Sequence, residues 1–358
     1  MAGALERTGV YLLQHGLQKK SEDPSLQDLN ERFYQHFEET IVTAHIYNPW
    51  FTEANVRMAL TEIGRMLTQE SIAQWVGEYK GLPANPEKQR TVGVIMAGNI
   101  PLVGFHDMLC VIASGHRFLG KPSSRDDKLI RLVADLICSI EPAFTSVLSF
   151  TDEYLNSADA IIATGSDNSS RYFDYYFRDK PHIIRKNRNG VAVLTGNETR
   201  DEIGLLGKDI FSYFGLGCRN VTKIYMPENF KPETLLEVFE SFTWLAEHHK
   251  YMNNIQYNRS VYLMNTLPFL DNGIVLFREM SDIASPVGVV YYEKYSQLDE
   301  VIQTLETRQT EIQCIISIDK YIKGCITPGN SQSPALRDYA DGIDTLQFLS
   351  EITETNGI

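Results

Sequence analysis

From Thr91 onward the chain alternates short apolar runs with amphipathic stretches, and this alternation restricts its fold more than any other feature. Thr91-Val92-Gly93-Val94-Ile95-Met96 is a strand-length apolar run closed by Gly98. A helix is expected from about Pro101 through Leu109 and Val111, a second strand at Arg117-Phe118-Leu119, and an amphipathic helix over 126–140. A third strand, Ala160-Ile161-Ile162-Ala163, runs into Thr164-Gly165-Ser166 and a helix carrying Tyr172, Phe173 and Tyr176. The pattern continues with strands over 191–194, 221–226 and 287–292 and helices over 200–213, 232–248 and 297–306. Strands separated by helix-length segments pair in parallel, because a parallel connection must cross over the sheet and covers it with the helix. Before Thr91, the spacing of Val56, Leu60, Ile63, Met66, Leu67, Ile72 and Trp75 predicts one helix over 55–75, and a Gly/Pro-rich break follows at 81–86.

The chain has 358 residues, 43% hydrophobic and 22% charged, an ordinary globular balance with room for about two domains. A change of domain is expected near Asn187-Arg188-Asn189-Gly190. The formal net charge of −13 argues against a nucleic-acid partner, which is recognised through a basic footprint. The five cysteines, Cys110, Cys138, Cys218, Cys314 and Cys325, are widely spaced and form no C-x-x-C pair, so neither a disulfide framework nor a metal site is expected. His248 and His249 are adjacent and would face about 100° apart on a helix, too far round to share one metal. There is no charged-then-apolar leader pattern and no stretch of ~20 apolar residues, so a cytoplasmic location without an integral membrane segment is expected. The N-x-S/T triplets starting at Asn168, Asn197, Asn220 and Asn258 are read as chance on that basis.

Four segments carry residues suited to chemistry. Cys218 lies in Gly215-Leu216-Gly217-Cys218-Arg219, where glycines allow close backbone approach and a neighbouring cation favours the thiolate. The bland alternative is a small buried core residue. Asn99, in Gly98-Asn99-Ile100-Pro101, either aims its amide at a developing oxyanion or caps the following helix. Lys121 and Thr164-Gly165-Ser166 each follow a strand and precede a helix, where open α/β sheets bind ligands and helix N-termini bind phosphate, although either is equally an ordinary polar turn. Asn220 stands where G-x-G-x-x-G requires its third glycine, so the dinucleotide fingerprint is broken.

Taken in order over 91–300, these segments resemble the aldehyde dehydrogenase superfamily and, within it, the LuxC-like fatty acyl-CoA reductases. The resemblance implies an α/β fold of two Rossmann-like open domains with the active-site cleft between them. It places a helical N-terminal part with the cofactor domain at 1–187, a catalytic domain at 188–335 and a C-terminal segment at 336–358 that returns to the cofactor or oligomerisation region. It makes Cys218 the nucleophile and Asn99 the oxyanion donor. Lys121 with Ser123 and Ser124 would hold the adenosine ribose, and Thr164, Gly165 and Ser166 the pyrophosphate. Ser285-Pro286-Val287 resembles the segment after an acid that contacts the nicotinamide ribose, a place Asp282 would take.

Two departures refine this. Hydrolysing dehydrogenases carry a Glu-Leu-Gly-Gly segment whose glutamate activates water, whereas the matching stretch here is Ile184-Arg185-Lys186-Asn187 and no carboxylate occurs from 182 to 194. A missing general base slows water attack typically 10²–10⁴-fold, leaving the thioester to exchange with a thiol such as coenzyme A. Ser124-Arg125 stands where a glutamate would repel a 2′-phosphate, which implies NADPH as cofactor, with NADH possible. The implied activity is reduction of a fatty acyl-CoA or acyl-carrier thioester to the aldehyde by a homodimer or homotetramer, with an acyl-donor protein as a possible partner. The alternatives are an NADP-dependent aldehyde dehydrogenase running oxidatively, and an acyl-transfer or acyl-binding protein that performs no reduction.

Overall fold

The computed structural model describes residues 1–79, 82, 86–165 and 167–354, and the chain divides into two compact units, Met1–Lys186 with Pro334–Ile358, and Asn187–Ser333. The first unit opens with helices α1 (Ala2–Gly16), α2 (Gln27–Tyr47), α3 (Glu53–Met66) and α4 (Gln69–Gly77). The expected single helix over 55–75 is two. Leu67 leaves helical geometry at ψ 61, and the Thr68 side chain accepts from Ser71 N to start the second.

A five-stranded sheet follows, β1 (Thr91–Ile95), β2 (Arg117–Lys121), β3 (Leu148–Phe150), β4 (Ala160–Thr164) and β5 (His182–Arg185), in the order β3-β2-β1-β4-β5. All pairs are parallel, with α5 (Phe105–Ala113), α6 (Lys128–Ile140) and α7 (Asp167–Phe177) in the connections. Side chains alternate across the sheet. Val92, Val94, Ala160 and Ile162 enter the large core shared with the N-terminal helices, α5 and α6, while Ile161 and Ala163 pack with Leu155 and Phe177. The edge strand β3 carries too few residues to show a period in the sequence.

Helix α5 begins at Phe105, not near Pro101. Leu102 takes a left-handed φ of 62° and gives its N–H to Asp126 Oδ2 at 2.6 Å, so the backbone cannot enter the helix until Gly104 serves as N-cap.

The second unit is a six-stranded sheet in the order β11-β6-β7-β10-β9-β8. Its strands are β6 (Asn189–Val193), β7 (Val221–Pro227), β8 (Leu270–Asp271), β9 (Leu276–Glu279), β10 (Val289–Tyr295) and β11 (Ile312–Ile316). Only the short β8 pairs antiparallel. Helices α8 (Arg200–Phe211), α9 (Glu233–Phe239), α10 (His249–Met264) and α11 (Leu298–Thr307) connect them. Thr199 and Glu202 form a reciprocal capping box at the start of α8. The expected helix over 232–248 is interrupted: α9 ends at Phe239, and a new helix starts where His248 accepts from Tyr251 N at 3.2 Å.

The last segment rejoins the first unit and ends in α12 (Thr345–Glu354). Buried Tyr339 accepts from Trp75 Nε1 at 2.7 Å, and Leu336 and Leu349 offer carbonyls to His106 and His116. Among the described residues, no helix is long and apolar enough to cross a membrane and no three His, Cys, Asp or Glu side chains gather as a metal site.

Candidate functional site

In the first unit the carboxyl ends of β1, β2 and β4 bring together most of the residues singled out in the sequence. Ile95 pairs with Lys121 on one side and Ala163 on the other, so the loop holding Asn99 leaves the sheet beside the strand ends at Lys121 and Thr164. The chain steps from β1 to β2 in one direction and returns to β4 in the other, which makes this edge the switch point where open α/β sheets form a crevice. Met96 N donates to Lys121 O at 3.1 Å. Gly98 sits so close to the second loop that an added Cβ would lie 2.6 Å from Ser123 Oγ, so a side chain there would push the two loops apart. Lys121 is half-buried with its Nζ 5.2 Å above the Tyr154 ring, Ser123 and Thr164 are half-buried, and Ser124 and Arg125 are exposed. Ser166 lies outside the described residues. Asn99 is half-buried and precedes the α5 N-cap by five positions, so the capping alternative does not hold.

Asp126, unremarked in the sequence, closes this edge. It is 7% exposed, and burial pushes its carboxyl up to about 8 despite the Leu102 N–H that favours the charged form, with Asp127 adding repulsion. A raised carboxyl costs nothing below its unfolded value of 3.8, and the cost grows as pH climbs towards 8. Asp126→Asn keeps an acceptor for Leu102 N but leaves an amide N–H without a partner, which offsets part of the gain. The variant is expected to be about 1–2 kcal/mol more stable at pH 8 and no more stable near pH 4. Thermal melts at the two pH values check this; equal differences at both would refute it.

Arg185, at the end of β5, lies in the stretch that the resemblance matches to the glutamate segment of hydrolysing dehydrogenases. It is buried, donating to Asp107 Oδ2 at 2.6 Å and Thr345 Oγ1 at 2.8 Å. Burial works against its charge, but the Asp107 carboxylate outweighs that and holds the guanidinium above its ordinary value.

In the second unit Cys218 lies in the turn between α8 and β7 and is half-buried, whereas Cys110 and Cys314 are buried. Burial pushes up the thiols of Cys110, Cys138 and Cys325, which disfavours their thiolates. The backbone before Cys218 is strained: Tyr213, Phe214 and Gly215 have φ of 52°, 59° and 77°. For the two non-glycine residues that conformation costs roughly 1–2 kcal/mol each. Packing and hydrogen bonds hold it. Phe214 stacks on His248 at 4.1 Å and meets Trp244 at 5.3 Å.

Asn220, fully buried, accepts from Gly217 N at 2.8 Å and donates to the carbonyls of Asp209, Ile210 and Ser212, tying the end of α8 to both sides of the cysteine turn. In the sequence this residue showed only as a broken glycine motif. Arg219, the cation next to Cys218 in the chain, donates Nε to Ser331 O at 2.5 Å. Buried Asp209 accepts from Gly329 N and Ser331 N, so the 329–331 loop is fastened to the same frame.

Asp282 is exposed in the loop from β9 to β10, and its neighbours are held from three directions. Lys223 Nζ donates to Met280 O, Arg308 Nη1 to Ser281 O at 2.6 Å, and Thr222 Oγ1 to Ile283 O at 2.7 Å. The loop therefore runs beside the first residues of β7. Ser285, Pro286 and Val287 line a small cavity of the same unit with Phe214 and Gly215, just upstream of Cys218.

Comparison with solved structures decides the architecture. Aldehyde dehydrogenase 21 from Physcomitrella patens, solved with its reaction product succinate, superposes with a TM-score of 0.64 over 98% of this chain and 84% of its own, at 14% identity. An aldehyde dehydrogenase from Bacillus cereus in complex with NAD+ gives 0.58 over 89% and 72%, at 13% identity. An NAD-dependent aldehyde dehydrogenase from Sinorhizobium meliloti gives 0.60 over 88% and 70%, at 12% identity. The chain has the aldehyde dehydrogenase fold. No family model matches the sequence. No curated protein is similar enough to count as a match. With the aldehyde dehydrogenase fold established, the expected architecture of parallel-sheet, Rossmann-like domains stands.

Proposed function

We propose that this chain reduces a fatty acyl thioester, such as an acyl-CoA, to the aldehyde through a thioester on Cys218, with NADPH as the reductant. Two observations support the reading: Cys218 is half-buried in a turn held by Asn220, and Arg185, at the position the resemblance gives to a hydrolysing enzyme's base, is an ion-paired guanidinium and not a carboxylate. A cysteine that accepts acyl groups but lacks a base for water suits a route that enters from a thioester and leaves by reduction.

The residues at the carboxyl edge of the first sheet fit a dinucleotide. They offer an ammonium at Lys121, hydroxyls at Ser123 and Thr164, and the start of the 11-residue helix α7, an end where backbone N–H groups favour phosphate. Lys121 and Ser123 would hold the adenosine ribose, Ser124 and Arg125 would face a 2′-phosphate, Thr164, Gly165 and Ser166 would hold the pyrophosphate, and Asp282 the nicotinamide ribose.

In the first half-reaction the Cys218 thiolate attacks the acyl carbon and forms a C–S bond. The C–S bond to coenzyme A breaks, and its thiolate takes a proton from solvent. Asn99 and the Cys218 backbone N–H hold the negative charge that develops on the carbonyl oxygen. A bound reduced nicotinamide supplies the hydride that takes the acyl carbon to the aldehyde level. Cys218 then departs as thiolate when the thiohemiacetal C–S bond breaks, releasing aldehyde.

The test is palmitoyl-CoA-dependent oxidation of NADPH, with aldehyde trapped in equal amount. NADPH is expected to give the higher kcat/KM than NADH, and a clear NADH preference refutes the role given to Ser124 and Arg125. The fold neighbours favour one second reading, oxidation of aldehydes. Aldehyde with NADP+, assayed with and without coenzyme A, separates the two: turnover without the thiol supports hydrolysis. The enzyme is read as a cytoplasmic homo-oligomer, and light scattering on the purified chain checks the assembly.

A further inference from the structure

The loop that carries Asn99 concentrates features that cost stability. Leu102 is left-handed at φ 62°. Asp126 is a nearly buried carboxyl whose Oδ1 has no hydrogen-bond partner among the described residues. Neither strand β1 nor helix α5 requires them. Such costs concentrate where a segment must be held in one conformation.

The two holds on this loop are specific. At one end, Asn48, 3% exposed at the C-cap of α2, donates Nδ2 to Gly98 O at 3.1 Å. Its own Oδ1 accepts from Trp50 N at 3.2 Å, which fixes the carboxamide's orientation. At the other end, Asp126 Oδ2 accepts from Leu102 N at 2.6 Å. Asp126 belongs to the turn that presents Ser123 and Ser124, since its N–H donates to Ser123 O at 2.9 Å and Arg125 N to Ser123 Oγ at 3.3 Å. Gly98 and Leu102 bracket Asn99, and each is fastened by a buried side chain from a different element.

We propose that Asp126 and Asn48 are positioning residues that hold the Gly98–Leu102 loop so that Asn99 meets the acyl oxyanion. The inference rests on the function proposed above. It gives the N-terminal helices a task, because α2 supplies one of the two holds. It also joins the Asn99 loop mechanically to the loop read as binding the adenosine ribose.

The experiment measures, on full-length protein, kcat with palmitoyl-CoA and NADPH, the single-turnover acylation rate of Cys218, and NADPH affinity by fluorescence. Asp126→Ala is expected to lower acylation and kcat about 10–10²-fold, the size expected for a displaced catalytic group. NADPH affinity should change less than about threefold, and Asp126→Asn, which keeps the acceptor, should restore most of the rate. Asn48→Ala, on a separate element, provides the same reading if Asp126→Ala does not fold. The deciding comparison is the double variant. If Asp126 or Asn48 acts through Asn99, removing either in an Asn99→Ala background costs nothing further per folded molecule. Additive losses overturn the inference and leave the reductase reading intact. Undiminished turnover in Asn99→Ala alone overturns both.

Discussion

Cys218→Ala is expected to abolish the acyl adduct and to cut acyl-CoA-dependent NADPH oxidation by about 10⁴-fold or more, the scale seen when a covalent nucleophile is deleted. Mixing the unaltered protein with palmitoyl-CoA, without reductant, should add one palmitoyl mass that hydroxylamine removes and that maps to the peptide containing Cys218. The other four thiols should stay unmodified. Cys110 and Cys314 are buried, and burial holds the Cys138 and Cys325 thiols up as well. Because Cys218 sits in a turn held by Asn220 and not in the packed core, its truncation should leave the melting temperature nearly unchanged, so a lost rate is a chemical result. An adduct on another cysteine, or normal turnover in Cys218→Ala, removes the basis of the proposed function.

Asn99→Ala should lower turnover by about 10²–10³-fold, the loss of one oxyanion donor, equivalent to ≈ 2.7–4 kcal/mol. Binding of NADPH should be nearly unaffected, since the residues proposed for the ribose and the phosphates lie at and after the ends of β2 and β4. The alternative that Asn99 merely caps a helix has a different signature, a drop in stability with little change in kcat. The structure already opposes it, because Gly104 holds the N-cap position of α5. A variant with intact turnover would remove Asn99 from the mechanism, and with it both the proposed function as written and the holding role given to Asp126 and Asn48.

Much of this was legible in the chain before it was folded. The order of strands and helices, and the places where Lys121, Thr164 and Asn99 leave strands, follow from local periodicity, because a buried parallel strand must be apolar on both faces. Local patterns ran out where a boundary depends on a distant partner. Helix α5 starts late because Asp126, 24 residues on, captures Leu102 N. The helix expected over 55–75 divides at a threonine cap that hydrophobic spacing does not register. Asn220 looked like a spoiled glycine motif, although its carboxamide ties together the end of α8 and the turn with Cys218.

The sequence by itself determined the α/β alternation, the absence of a basic footprint, and which cysteine stands among glycines, since these depend on residue type and spacing along the chain. The tertiary structure alone decided what surrounds those residues. It placed Arg185 in an ion pair with Asp107, turned Arg219 towards Ser331, and brought Asn48 and Asp126 to opposite ends of one short loop. The physical reason is that hydrogen bonds and desolvation act between groups close in space, and the separations here, 50 residues for Asn48 and Gly98 and 78 for Asp107 and Arg185, leave no trace in any local pattern.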